Sequence, residues 1–63
     1  MDKNYHYNKI DMALKSYEEN KPYHQYTTGW ICDRIDWSWK WHYITEEQMK
    51  ELTGRIIEVL RRP

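Results

Sequence analysis

Residues 34–44 read RIDWSWKWHYI, which sets Trp37, Trp39, Trp41 and Tyr43 at every second position, with Asp36, Ser38, Lys40 and His42 between them. This alternation describes either a strand with one aromatic wall or a helix with aromatic rings round most of its circumference. A strand needs a pairing partner, because an isolated one leaves half its backbone N–H and C=O groups unsatisfied. No other segment of the chain alternates with period two, so only a second chain could supply that partner. A helix needs none. No Gly or Pro interrupts Trp30 to Tyr43, Thr27 or Thr28 can cap the amino-terminal end, and Asp36 precedes Lys40 by one turn in the favourable order. We therefore read 28–42 as a helix.

The flanking segments support an all-helical chain. Tyr7, Ile10, Ala13, Leu14 and Tyr17 recur at intervals of three and four, with Lys9, Lys15 and Glu19 outside that stripe. The pattern predicts a helix over about 5–20, stopped by Asn20, which tolerates the left-handed conformation, and by Pro22, which cannot continue the hydrogen-bond ladder. Downstream, ITEEQM (44–49) has the form of a capping box. Thr45 and Gln48 can satisfy each other's backbone amides while Ile44 packs on Met49 across the turn. Met49, Leu52, Ile56, Val59 and Leu60 then form a stripe, with Glu46 and Glu47 at the positive end of the helix dipole and Arg61 and Arg62 at the negative end. A helix over 46–61 follows. The expected fold is an all-α, three-helix single domain over 1–63, short enough to gain from self-association. Gly54 falls on the polar side of the last helix, either as a tolerated weak position or as a point of close approach by another chain.

Composition narrows the class of function. Ten acidic residues balance ten basic ones, and the balance persists before Pro22, through the centre and in the last third. A duplex-binding domain normally carries a basic face, because counterion release supplies much of its affinity, so no duplex nucleic acid is expected as a partner. A helix-turn-helix is further disfavoured by the acidic start TEEQMKE of its would-be recognition helix. No run approaches the roughly 18 apolar residues of a membrane span, and no charged-then-apolar start resembles a secretory signal. Cys32 is the only cysteine, which rules out a disulfide within one chain. A cytoplasmic setting and no membrane partner are the expectations.

Catalytic chemistry is not visible. His6, His24 and His42 fall in three separate segments without ligand spacing, so no metal site is expected. Cys32 falls in the apolar part of the central helix with no adjacent base, and behaves there as a small hydrophobe. Two glycines cannot build a phosphate loop, and no carboxylate pair stands apart from ordinary helix-surface charge. The chain is read as a non-enzyme without cofactor.

The central helix carries what recognition chemistry there is. On a helical projection Trp30, Trp37 and Trp41 share a face with Arg34, Ile31, Ile35, Trp39 and Cys32 take much of the other side, and Asp33, Asp36 and Lys40 make a polar strip. Two packed neighbours cover about half of such a circumference, leaving one aromatic face over. Ile31 and Ile35 suit the core, whereas Trp, Tyr and Arg are the types enriched at binding hot spots. The candidate partner-binding residues are accordingly Trp30, Arg34, Trp37, Trp41, Tyr26 and Tyr43. An opposite arrangement stays open, in which the tryptophans are the core and Arg34 only pairs with a carboxylate.

Two functions of different class follow. One is a protein-binding module or inhibitor that docks its aromatic and arginine face on a larger protein. In small size, dense aromatics and missing catalytic groups the chain resembles accessory proteins carried by phages and other mobile elements. The other is a homo-oligomer that sequesters a nucleotide-type ligand by Trp and Tyr stacking, with Arg34, Arg55 or Arg61 on phosphate.

Overall fold

The computed structural model describes residues 4–62 and contains three helices, α1 (Tyr5–Glu18), α2 (Thr28–Lys40) and α3 (Glu46–Arg61), each packed against the other two. The segment RIDWSWKWHYI is thus helical through Lys40, and no strand occurs among the described residues. Thr27 caps α2, its hydroxyl accepting the Trp30 amide at 3.0 Å.

Both α1 and α2 end two residues earlier than the bounds read from the sequence, and for the same reason. In α1 the Asn20 amide donates to the Tyr17 carbonyl and the Lys21 amide to the Ser16 carbonyl, with Asn20 at φ 54°. In α2 the His42 amide donates to Trp39 and the Tyr43 amide to Ser38, with His42 at φ 62°. Each pair of bonds closes a left-handed helix end that satisfies otherwise orphan carbonyls. The 5–20 and 28–42 bounds read from the sequence therefore shorten to 5–18 and 28–40. At α2 the early exit has a purpose: it turns the chain so that Ile44 drops into the core.

The start of α3 is built as its sequence indicates. Thr45 accepts the Gln48 amide at 3.1 Å while the Gln48 side chain accepts the Thr45 amide at 3.0 Å, and buried Ile44 is followed by core-packed Met49. Thr45→Ala removes the acceptor of an orphan amide and is expected to cost about 1 kcal/mol in urea unfolding. Thr53→Ala is the comparison, because its hydroxyl reaches only the Met49 sulfur at 3.8 Å. Equal losses from the two variants would mean that the box does not secure the helix start. Gly54, further along α3, has no atom within 4 Å of where a Cβ would stand, so nothing within the monomer approaches it closely.

The core is aliphatic. Ile10, Ala13 and Leu14 come from α1, Ile31 and Ile35 from α2, Leu52 and Ile56 from α3, and Ile44 from the connector. The inward stripe of α2 is completed by Ser38, which is 0% exposed. Ile31, Ile35 and Ser38 are spaced i, i+4, i+7, and the small serine occupies an inward position between exposed indoles. Its hydroxyl has no hydrogen-bond partner.

A second set of contacts joins α1 to α3. Arg55 donates through Nε and Nη2 to both carboxylate oxygens of Glu18 at 2.9 and 2.7 Å, and through Nη1 to Asp11 at 2.7 Å. Nη1 also lies 3.5 Å from Glu51, to which the Tyr7 hydroxyl donates. Arg62 reaches back and donates to the Tyr17 and Glu18 carbonyls at 3.2 Å, placing a cation on the negative end of α1.

Candidate functional site

With the core filled by aliphatics, three of the four indoles are left outside. Trp37 is 39% exposed, Trp39 40% and Trp41 63%, while Trp30 is partly buried against the core. Helical spacing decides this: with Ile31, Ile35 and Ser38 inward, positions 30, 34, 37 and 41 follow one flank of the helix. Arg34 lies on that flank between two indoles, its guanidinium carbon 5.1 Å from the Trp30 ring centre and 4.8 Å from that of Trp37. A cation over the faces of two tryptophans is attracted by both ring quadrupoles.

The rings continue in both directions from this clamp. Tyr26 stacks on Trp30 at 3.8 Å and 18°. Beyond Trp37 come Tyr43 at 5.2 Å and His6 at 5.8 Å, and these two stack on each other at 4.2 Å. Tyr5 meets the edge of His6 at 5.1 Å. The result is a row running Tyr26, Trp30, Arg34, Trp37, Tyr43, His6, Tyr5 across the side where α1 and α2 meet. Five of the six residues expected to contact a partner fall in it; Trp41 is exposed past the end of α2 without a ring contact.

Beside the row, a groove of about 490 Å³ runs between α1 and the connector that follows it. Tyr5, Lys9, Met12, Tyr23, Gln25 and Tyr26 are among its lining residues, so the groove shares Tyr26 with one end of the row and Tyr5 with the other. The connector is held in place by the Tyr17 hydroxyl, which donates to the Tyr26 carbonyl at 2.7 Å. His24 adds to this by stacking flat on Tyr17 at 3.9 Å, with Nδ1 3.0 Å from the Ser16 hydroxyl.

The three arginines expected as alternative anion ligands are not gathered in one place. Arg34 stands in the clamp. Arg55 is spent on Glu18 and Asp11, and its pKa is raised, first by the hydrogen bond to Glu18 and against the opposing effect of burial. Arg61 is exposed near the end of α3, 4.0 Å from Glu58. The Asp11–Glu18 arrangement was legible in principle, since residues seven apart share a helix face and Glu51 lies one turn before Arg55. His6 and Lys9 carried no such signal, because with Tyr5, whose ring near a helix end already suited a binding surface, they belong to a second stripe on α1, outside the one that periodicity assigns to the core.

Trp39 and Cys32 also differ from expectation. Both stand on the opposite flank of α2, where they line a shallow hollow of about 210 Å³ with Met49 and Thr53. Cys32 is exposed rather than embedded among apolar groups, because Ile31 and Ile35 take the inward direction. Among the described residues no three His, Cys, Asp or Glu side chains are grouped to hold a metal ion, and no helix is long and apolar enough to cross a membrane.

No protein-family model, no curated protein sequence and no solved structure matches the chain.

Proposed function

We propose that this chain is a non-catalytic binding protein that docks the aromatic row of α2 on a larger protein and alters that protein's activity. The observation that carries the reading is the Trp30–Arg34–Trp37 clamp, in which Trp37 is exposed and Trp30 and Arg34 are half-buried. Such a surface keeps the exposed area of Trp37 in water outside the aliphatic core, and its residue types are those in which binding energy concentrates. Tyr26 and Tyr43 extend it with rings that bury much area for little entropy. Self-association through the same face belongs to this proposal as the way a 63-residue domain covers it before the target is met.

The nucleotide-sequestering alternative draws less support. Its three arginines serve three separate surroundings, and both indole faces that Arg34 occupies are closed to a base.

Native mass spectrometry of the protein purified from its own cells tests the proposal, with Trp37→Ser as the comparison. The expected result is a co-purifying protein of defined mass whose affinity falls by about 2 kcal/mol, on the order of thirtyfold, in the variant while the circular dichroism stays helical. Retention of every associated species by folded Trp37→Ser would remove the row from the binding surface. A bound small molecule in place of a protein would favour sequestration.

A further inference from the structure

The docking face has a charge character that the balanced composition conceals. Lys15, Lys21, Lys40, Lys50, Arg55 and Arg61 each lie within 4.0 Å of a carboxylate, and Arg62 donates to carbonyls. Besides Arg62, two cations among the described residues have no carboxylate within 4.0 Å, Lys9 and Arg34, and these two have no carbonyl partner either. Both rest on aromatic rings instead, Lys9 with its ammonium 5.8 Å from the Tyr5 ring centre and Arg34 in its clamp. Both also lie along the same side of the molecule, since Lys9 lines the groove that Tyr26 closes and Tyr26 stacks on the Trp30 ring beneath Arg34. Among the described residues, the positive charge committed neither to a carboxylate nor to a carbonyl thus lies on one side of the molecule.

We infer that this face takes an acidic segment of its protein partner, one carboxylate on the edge of Arg34 and another on Lys9, with apolar side chains between them in the groove. The inference rests on the docking role proposed above and names the chemistry of the partner. The Arg34 guanidinium lies near two indoles with no carboxylate on its N–H donors, which a carboxylate can accept side by side. Lys9 offers a point charge at the groove wall, and the 490 Å³ beside it has room for a few side chains. Geometry separates a peptide from a nucleotide. The cations line two different depressions, the groove and a shallow hollow formed by Trp30, Asp33, Arg34 and Trp37, so one compact phosphate cannot engage both. Asp33 makes no ion pair, and its carboxylate in that hollow favours a singly charged guest over a doubly charged one.

The test is selection of random dodecapeptides displayed singly on beads, scored on the wild-type chain and on folded Trp37→Ser, Arg34→Gln, Arg34→Lys and Lys9→Gln. Peptides that depend on Trp37 are expected to carry Asp or Glu at two separated positions. Arg34→Gln should weaken them about tenfold and erase the preference at one position, Lys9→Gln should erase it at the other, and Arg34→Lys should not restore the first. If Trp37-dependent peptides show no acidic preference, or keep it in Arg34→Gln, the face docks partners of other chemistry and this inference falls while the docking role stands. If no peptide depends on Trp37, the docking role falls with it. Competition by adenosine monophosphate at the same site would assign the face to a nucleotide and overturn the acidic-segment assignment.

Discussion

Ile35→Ala is expected to unfold the domain or bring it to the edge of unfolding, whereas Trp37→Ser, two residues away on the same helix, leaves it folded. Ile35 lies in the buried cluster formed with Ile10, Leu14, Ile31, Leu52 and Ile56. Deleting a buried Ile side chain to Ala costs about 2–5 kcal/mol, from lost burial and from the cavity left behind. A chain of 63 residues has about 3–9 kcal/mol of stability in all, at 0.05–0.15 kcal/mol per residue. The loss is therefore comparable with the whole. Trp37, more than a third exposed and in contact with Arg34, Tyr43 and His6 at the surface, leaves no internal cavity when shortened. Urea unfolding of both variants decides the matter. An unfolded Trp37→Ser beside a stable Ile35→Ala would exchange the roles of the two flanks and make the tryptophans the core.

Arg55→Gln is expected to lose roughly 2–3 kcal/mol at neutral pH and to remove most of the acid sensitivity of folding. The three charged groups are only 19–27% exposed, so solvent screens them weakly. Shortening the arginine leaves the carboxylates of Asp11 and Glu18 partly buried with their main cation gone. For Asp11, burial pushes the carboxyl pKa upward, but the hydrogen bonds from Arg55 and Lys15 outweigh it and hold the value below the ordinary one. For Glu18 the hydrogen bond from Arg55 is the largest cause and also lowers the pKa, with burial opposing. Carboxyls whose pKa is depressed on folding contribute stability that is complete above the unfolded value near pH 4, and lose it as the pH falls through the folded one. The wild-type urea midpoint should stay level above about pH 5 and decline below pH 4. The Arg55→Gln curve should start lower and converge on it in acid. Parallel curves separated by a constant amount from pH 7 to pH 3 would show that Arg55 acts by packing rather than charge.

The helical state of RIDWSWK (34–40), the capping box at Thr45 and the bounds 46–61 were all determined locally, and the structure carries each of them. Hydrogen bonds that reach three or four residues along the chain are written in adjacent letters, which is why Asn20 and Thr45 could be identified, and the α2 cap narrowed to Thr27 or Thr28, without knowing what packs where. Cys32, Ser38 and Arg55 depended on neighbours that only the folded chain supplies. Ser38 goes inward because Ile31 and Ile35 aim that flank of α2 at the other helices, and the indoles on either side are too large for an inward place between them. Arg55 is committed to Asp11 and Glu18, 44 and 37 residues earlier, once α1 lies against α3. The same distinction governs the aromatic row. Its tryptophans and Arg34 share a helix and were visible from spacing alone, but His6, Tyr5 and Lys9 join them across the α1–α2 contact, a relation between segments that no periodicity within one segment records.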